Sequence, residues 1–409
     1  MGSLAPVHLQ LPEADVADPA AMWAGSGAMA LTGRAGGPAL LAPPGVVIGL
    51  TRLAREFSDR TGLPVDGPAL LGERAVHADL HRRGDVSCGG SSRLLRAADG
   101  WVAVSLARDE DVALVPAWLE AAPDDIGEVV GRRAAVELVA RAALVGLPVS
   151  RVGESRGLSP FAAVPLRGKG APGQPSRLVV DLSSLWAGPL CGQLLGQAGF
   201  RVIKVESVTR PDGARLGPPA FFDLLLAGQE SVALDLASRT GRAALQRLVD
   251  SADVVIEASR PRALDQLGVG PSDRGPAVWV SITGYGREGD AGNRVAFGDD
   301  AAAAAGLVVC DETGPCFCAD AAADPATGLY AAVATLAALA EGGRWLLDIR
   351  LAGVASWLAS AGPAGPAGGR YSGPVAEPHA RRAAGHAASL GAHTDAVLAE
   401  LLRLGPACA

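Results

Sequence analysis

From Arg177 onward, apolar runs of strand length alternate with segments of helical pattern, and this alternation restricts the fold more than any other feature. Such an order is typical of an α/β protein in which helices cover both faces of a parallel sheet. The pattern predicts strands at 178–182, 201–205, 231–236, 253–257, 277–283 and 345–351, and helices at 190–198, 238–249, 324–341 and 352–358. We therefore predict a doubly wound, Rossmann-like, mostly parallel sheet.

The first 175 residues have a different character and predict a smaller α+β domain placed N-terminally. Trp101–Leu106 alternates like a strand, and helical patterns follow near 112–119 and 134–143. A Gly/Pro-rich joint, 168–175, separates this part from the sheet. We predict two domains, 1–170 and 171–409. A second Gly/Pro-rich segment, 360–382, predicts a flexible or extended linker before an amphipathic helical tail at 394–404.

Composition and charge exclude several classes of function. Apolar residues make up 49% of the 409 residues and charged residues 19%, which is typical of a globular protein. The formal charge of −7 argues against a nucleic-acid partner, since phosphate binding favours a basic face. We find neither an apolar run of membrane-spanning length nor the basic-then-apolar order of a secretory signal. We therefore expect a cytoplasmic protein with no membrane partner.

Histidine is absent from most of the predicted sheet domain. The chain has six histidines, and residues 82–378 contain none of them. A Ser-His-Asp or His-Asp arrangement within the sheet domain is therefore excluded, and one that recruits His77 or His81 across the domains is the less favoured alternative. His77 and His81 stand at helical spacing in an Arg-bearing segment, which favours a solvated face over a pair of metal ligands.

Two other motifs give weak signals. Cys310, Cys316 and Cys318 cluster, but without the C-x-x-C spacing of zinc sites, so buried free thiols are the better interpretation and we expect no metal. Gly284–Gly289 has the spelling of the dinucleotide fingerprint after a predicted strand. A loop continues where the third glycine should open a packed helix, so a nicotinamide cofactor is not favoured.

Asp324 is the strongest candidate for chemistry in this chain. With Pro325 it opens an Ala-rich helical segment that runs to about Glu341, which sets one carboxylate at a helix N-terminus. An Asp N-cap followed by Pro also starts helices that have no function, so a purely structural role is the open alternative. A second small-residue motif, Ser87–Ser92, predicts either an ordinary turn or a loop whose backbone N–H groups approach a ligand.

Several strings resemble, in order, the class III CoA-transferase family of the CaiB/BaiF type, which includes formyl-CoA, carnitine-CoA and bile-acid CoA transferases and the alpha-methylacyl-CoA racemases. The matching segments are 179–206, 231–236, 252–261, 280–289, 324–339 and 390–402. The N-terminal part resembles other sections of the family at 21–33, 87–92, 99–106 and 145–152. The small domain thus precedes the sheet domain, whereas the family inserts it afterwards, so the resemblance implies a fused and trimmed, permuted arrangement.

The resemblance implies an enzyme that moves CoA from an acyl-CoA to a carboxylic acid. Asp324 would attack the thioester and become an aspartyl-CoA thioester, with Asp320 as the fallback nucleophile. Gly89 and Gly90 would cover the intermediate and exclude water. Coenzyme A would be a substrate, no further cofactor would be needed, and the expected assembly is a homodimer. Substrate identity is not implied.

The resemblance also implies a CoA-binding set and shows where this chain departs from the family. Leu185, Trp186 and Ala187 match the turn beneath the nucleotide. The family's basic stretch before 231 is replaced by Ala227–Glu230, so phosphate pairing would fall to other cations, for which the candidates are Arg210, Arg215, Arg260 and Arg262. Alternatives are an inactive CoA-binding protein or a subunit of a hetero-oligomer. A racemase is less favoured, because Gly298 replaces that branch's histidine.

Overall fold

The computed structural model describes residues 9, 11–14, 16–167, 177–271, 275–361 and 368–403. The predicted joint at 168–175 and part of the linker predicted at 360–382 lie outside these ranges. The N-terminal segment supplies three helices, α1 (Pro19–Gly25), α2 (Gly45–Thr61) and α3 (Glu73–Ala78). Helix α2 ends on Gly62 in the left-handed conformation, φ 74°, a conformation that glycine adopts without the steric cost of a side chain.

A small antiparallel sheet with its own helices follows. In chain order its elements are β1 (Ser92–Ala97), β2 (Gly100–Ser105), α4 (Asp109–Ala113), α5 (Val115–Leu119), α6 (Ile126–Gly131), α7 (Ala135–Val145) and β3 (Val149–Arg151). The strand order is β1-β2-β3, and all pairings are antiparallel. Trp118 is fully buried among these helices, and its Nε1–H donates to the carbonyl oxygen of Leu138 at 2.9 Å. We call residues 92–151 the small domain.

The remaining elements build the main sheet and its helical layers. They are β4 (Phe161–Pro165), β5 (Leu178–Asp181), α8 (Ala187–Gln197), β6 (Arg201–Ser207), α9 (Pro219–Leu226), β7 (Glu230–Leu234), α10 (Arg239–Ser251), β8 (Val254–Glu257), α11 (Pro261–Gln266), β9 (Val278–Thr283), α12 (Gly298–Ala304), β10 (Val308–Asp311), β11 (Gly314–Phe317), α13 (Ala323–Glu341), β12 (Trp345–Arg350), α14 (Leu351–Ser360) and α15 (Thr394–Arg403).

The main sheet has seven strands in the order β4-β12-β9-β8-β5-β6-β7. All neighbours pair in parallel except the edge strand β4, which is antiparallel to β12. The chain leaves β5 toward β6 and β7 on one side and then returns to β8 and β9 on the other. The strand order therefore reverses at β5, where open α/β sheets bind ligands beyond the carboxyl ends of the strands. The predicted fold class is confirmed.

Apolar residues on both faces of the strands explain why helices cover both sides. Strands β5, β8 and β9 are buried along their whole length. Helix α13 lies centrally: a Cβ on Gly328 would come within 2.7 Å of the carbonyl oxygen of Ala187 in α8, so glycine permits the close approach. By length and composition α13 could cross a membrane, but 78% of its apolar window is buried inside the protein, as expected of a core helix.

Residues on both sides of the predicted boundary at 170 contribute to this core. Helix α2 packs against α13 and α14, and β4 pairs with β12. The division into 1–170 and 171–409 stays a prediction. The described part of the predicted linker, 368–382, has no helix, and it is extended and held in place: Arg381 forms a bidentate ion pair with the buried Glu73 at 2.6 and 2.8 Å.

Candidate functional site

The start of helix α13 presents Asp324 in an unusual setting. Asp324 is the second residue of the helix, Ala322 is the N-cap, and no side chain caps the helix end. The capping alternative for Asp324 is therefore wrong. The preceding loop holds Ala319 and Ala321 in left-handed backbone conformations, φ 57° and 44°. Residues with a Cβ avoid this region, so the surrounding structure constrains the loop that delivers Asp324.

Asp324 is closely surrounded, and the residue as a whole is only partly exposed. A Cβ on Gly298 would lie 2.8 Å from Asp324 Oδ2 and 2.4 Å from the carbonyl oxygen of Ala321. Burial is the main cause that raises the pKa of Asp324, to about 7; Arg74 lowers it, while Asp299 and Asp320 raise it. A side chain at position 298 would therefore collide with Ala321 and Asp324, so this position has no room for the histidine of the racemase branch.

Arg74 is the positively charged side chain that lowers the pKa of Asp324. Its Nε and Nη2 donate to both oxygens of the fully buried Asp320, at 2.8 and 2.5 Å. Its guanidinium also lies over the ring of Trp186, 5.4 Å from the centroid. Because the bidentate pair occupies Asp320, the fallback nucleophile is less available than Asp324.

Two further aspartates extend the negative charge. Asp299 and Asp300 open helix α12, and both are buried. Burial raises the pKa of Asp299 to about 6, with Asp320 adding to the shift, and raises the pKa of Asp300 to about 7. We call Asp299, Asp300, Asp320 and Asp324 the acidic cluster. Asp299, Asp320 and Asp324 all interact with the guanidinium of Arg74, and Asp300 interacts with Asp299, so burial and repulsion favour bound protons on Asp299, Asp300 and Asp324 near neutral pH.

The glycine loop predicted to cover the site borders the same cluster. Cys88 is buried, and its Sγ lies 3.6 Å from the carbonyl oxygen of Ala319 in the loop before α13. A Cβ on Gly89 would lie 3.2 Å from Arg74 Nη2. Gly90 has φ 84°, which favours glycine. The structure thus brings Gly89 to the Arg74–Asp320 pair, whereas a Cβ on Gly90 would meet Arg83; the covering role of both glycines stays a prediction.

The turn from β5 into α8 lies at the point where the strand order reverses. Leu185 has φ 72° and a 41% exposed side chain, and its N–H donates to Asp212 Oδ1 at 3.0 Å. Trp186 is buried edge-on to Phe221, with ring centroids 5.1 Å apart, and its Nε1–H has no partner among the described residues. Ala187 begins α8. The predicted binding turn therefore stands beside Arg74.

Two predicted phosphate-binding arginines meet across a cavity of about 320 Å³ at the border of the small domain. Arg210 and Arg260 follow the carboxyl ends of β6 and β8, and neither forms an ion pair with another described residue. Arg108 of the small domain also lines the cavity, but it is already paired, since its Nη2 donates to the buried Asp111 at 2.5 Å. Glu110 lines the cavity as well. We call Arg108, Arg210 and Arg260 the arginine groove.

Arg215 lies elsewhere and is already paired. Its Nε and Nη2 donate to Glu206 at 2.9 and 2.6 Å, and its guanidinium lies 4.7 Å from the ring centroid of Phe222. The structure does not bring Arg215 into the arginine groove. Its phosphate-binding role stays a prediction, and the geometry favours Arg210 and Arg260 over it.

The remaining motifs do not form sites. Within the described ranges, no group of three or more His, Cys, Asp or Glu residues could hold a metal ion. His81 is exposed as predicted, but the prediction is wrong for His77, which is partly buried and lies 6.4 Å from the ring of Phe221. After β9, Gly284–Gly289 leads into a short 3-10 turn rather than a packed helix, so it lacks the dinucleotide-binding geometry.

Sequence reasoning missed Arg74, Arg108 and the paired aspartates of α12. Arg74 and Arg108 lie in the N-terminal part, and their partners are more than a hundred residues away in sequence or across the domain border. No local pattern identifies such contacts. A signal did exist for Asp299-Asp300: adjacent carboxylates at the start of an Ala-rich run are typical of a helix N-terminus.

Comparisons with known proteins show what this chain is similar to. The model of CoA-transferase family III matches residues 177–386. A probable fatty acyl-CoA transferase of Mycobacterium tuberculosis is 36% identical over 141 residues, which cover 32% of this chain and 36% of that protein. Human succinyl-CoA:glutarate CoA-transferase is 32% identical over 177 residues, 40% of each chain. A solved CaiB/BaiF family protein from Brucella suis shares 31% identity with a TM-score of 0.41 over 44% of this chain and 53% of its own.

These matches cover only part of each relative. The chain spans between about a third and two fifths of the length of the curated relatives described above. The family model, in contrast, covers just over half of this chain and includes the β5 turn and the start of α13. It confirms the resemblance found in the sequence: this chain belongs to CoA-transferase family III.

Proposed function

We propose that this chain transfers CoA from an acyl-CoA to a carboxylic acid, with Asp324 as the nucleophile. The observation that carries the proposal is the position of Asp324, a partly exposed residue, at the N-terminus of α13, within a family of CoA transferases. A carboxylate becomes an adequate nucleophile when it is held in place and largely desolvated. The raised pKa of about 7 fits a group shielded from water yet ionisable near neutral pH.

The proposed reaction has balanced steps. An oxygen of Asp324 attacks the thioester carbon, the C–S bond breaks, and CoA leaves as a thiolate from a mixed anhydride. The thiolate then attacks the Asp324 carbonyl carbon, releases the first acid and leaves an aspartyl-CoA thioester. The second acid and CoA pass through the same two steps in reverse, which frees Asp324. The Gly298 N–H, which donates to the Asp324 carboxylate, can stabilise negative charge that develops there.

Substrate binding in this proposal uses both parts of the molecule. The arginine groove would bind the phosphates of CoA, because guanidinium groups match phosphate geometry. Leu185, Trp186 and Ala187 would line the path to Asp324, and the Trp186 Nε1–H is a buried donor without a partner among the described residues. Gly89 and Gly90 would shield the intermediate from water. Succinyl-CoA and glutarate, which the human relative's name mentions, are reasonable first substrates to assay.

A panel of acyl-CoA donors and free-acid acceptors tests the proposal. The wild-type chain should form new acyl-CoA, and Asp324→Asn should not, because an amide cannot attack the thioester. Asp290→Asn changes an exposed acid in the 3-10 turn after β9, so it serves as the control and should keep full activity. Equal turnover by wild type and Asp324→Asn would contradict the assignment.

An inactive CoA-binding protein is the second candidate, and the crowded acidic cluster favours it. Asp299 and Asp320 both disfavour the ionised Asp324 that catalysis requires. Such a protein would bind CoA through the arginine groove without any turnover. Binding without transfer across the whole panel, at pH 8 as well as pH 7, would favour this alternative.

A further inference from the structure

Four buried side chains form a hydrogen-bonded chain across the border between the small domain and the main sheet. Ser92 of β1 and Ser105 of β2 come from the small domain, and Asp299 and Asp300 come from α12. Ser92 Oγ lies 3.1 Å from Asp299 Oδ2, Ser92 Oγ lies 2.8 Å from Ser105 Oγ, and Ser105 Oγ lies 2.9 Å from Asp300 Oδ1. All four residues are buried.

The hydrogen atoms available to these four hydrogen-bonded side chains can be counted. Three oxygen–oxygen contacts at these distances each require one hydrogen. Each serine hydroxyl supplies one hydrogen, and an ionised carboxylate supplies none. Two hydrogens cannot fill three contacts, so a third must come from a protonated carboxyl at one end of the chain.

A second observation indicates the same protonation. Asp300 is fully buried, and its Oδ2 has no hydrogen-bond partner among the described residues. A buried ionised oxygen without a partner is costly, whereas a neutral carboxyl tolerates the position far better. Burial also raises the pKa of both Asp299 and Asp300.

We infer that Asp299 and Asp300 share one proton through Ser92 and Ser105, and that this proton locks the small domain onto the loop that carries Asp324. The hydrogens can run in either direction along the chain, so the proton belongs to the pair. The link to the loop is direct, because Asp299 Oδ1 accepts the N–H of Ala321 at 3.1 Å. Asp299, Asp300 and the two serines are thus positioning residues for the site.

The charged and titratable surroundings decide when the proton leaves. Asp299 and Asp300 interact electrostatically with each other and with charged or titratable groups from several other elements. These groups are Arg74, Cys88, Tyr285, Arg294, Asp320 and Asp324. Arg74 and Arg294 favour the ionised pair, whereas Asp320 and Asp324 favour the protonated one. Loss of the proton above neutral pH removes one of the three hydrogens and places two carboxylates along the domain border.

Infrared spectroscopy tests the shared proton without relying on the proposed function. We would use Asp324→Asn as the parent protein, so that the proposed nucleophile cannot contribute. At pH 6 the parent should show the carbonyl band of a protonated carboxylic acid, and additional substitution Asp300→Asn should remove intensity equal to about one carboxyl group. An unchanged band in the double variant would overturn the inference.

Hydrogen–deuterium exchange tests the locking role. After correction for intrinsic exchange rates, protection of β1 and β2 amides should fall from pH 6 to pH 8.5 in the wild-type chain. In Asp300→Asn the amide can supply the third hydrogen at every pH, so its protection should change much less. Ser150→Ala is the matched control: Ser150 Oγ crosses the same border to the carbonyl oxygen of Asp300 at 2.8 Å but touches no carboxyl group. It should keep the pH dependence, and equal pH dependence in Asp300→Asn and wild type would contradict the lock.

Discussion

The acidic cluster and the arginine groove lie along the same border between the small domain and the main sheet, but the charges of the first are buried and those of the second are accessible. The carboxyls of the acidic cluster are largely buried, and burial raises the pKa values of Asp299, Asp300 and Asp324. The arginines of the groove surround an open cavity, and Arg210 and Arg260 form no ion pair with described residues. Buried charge suits bond making, and accessible charge suits ligand capture.

Replacing the two central aspartates should separate their roles most clearly. Asp324→Asn should reduce kcat for CoA transfer by at least about 10³-fold, since covalent chemistry needs the carboxylate. Asp320→Asn should keep measurable turnover and mainly lower the free energy of unfolding, because it breaks the pair with Arg74. Steady-state kinetics and denaturant unfolding measure the two effects. The reverse ranking of kcat values would make Asp320 the nucleophile.

Removing the cation of the acidic cluster should affect both stability and pH dependence. Arg74→Met leaves the buried Asp320 unpaired, which should lower the free energy of unfolding by roughly 3 kcal/mol. Arg74 also lowers the pKa of Asp324, so its loss should move the rise of kcat/KM to higher pH. Arg74→Lys retains the charge and should leave that midpoint closer to wild type. An unshifted profile in Arg74→Met would show that the arginine does not act on Asp324.

The arginine groove should govern substrate affinity rather than chemistry. Arg210→Gln and Arg260→Gln should each raise KM for acyl-CoA by about tenfold, or about 1.4 kcal/mol, with little change in kcat. Arg262→Gln is a matched control, because Arg262 is exposed and near Arg260 in sequence but does not line the cavity. KM values measured at two salt concentrations give the comparison. Equal effects at 260 and 262 would argue against a specific phosphate site.

The acidic cluster should also make the folded chain more stable in mild acid. Asp299, Asp300 and Asp324 have folded pKa values of about 6, 7 and 7, above the value near 4 expected in the unfolded chain. Between these limits the folded state binds more protons, so stability falls as pH rises from about 4 to about 7. Tm at pH 5.5 should exceed Tm at pH 8 by about 3 °C, and less in Asp300→Asn. A higher Tm at pH 8 would contradict the raised pKa values.

The sequence predicted the main sheet well because local patterns determine it. The apolar runs became β5, β6, β7, β8, β9 and β12. The helix predicted at 238–249 became α10, and Ser238 caps it by accepting the N–H of Gly241 at 2.9 Å. The amphipathic tail became α15 (Thr394–Arg403). These elements depend on periodicity and end signals that lie within a few residues.

The site was only half predictable. Asp324 and the β5 turn came from motifs, and their proximity to the glycine loop agrees with the expected arrangement. Arg74 reaches Asp320 across 246 positions of sequence, and Arg108 reaches the groove from the small domain. Such contacts follow from how α3 and the small domain pack on the sheet. The sequence also could not show why position 298 is glycine. The reason is the lack of space beside Asp324 and Ala321 in the folded chain.

Trapping the covalent intermediate tests the central claim most directly. The wild-type chain would be mixed with acyl-CoA, treated with hydroxylamine, digested and analysed by mass spectrometry, with Asp324→Asn as the control. We predict a hydroxamate on the peptide at Asp324 and none in the control. A modified residue at any other position, or no modification while CoA transfer proceeds, would contradict the role of Asp324.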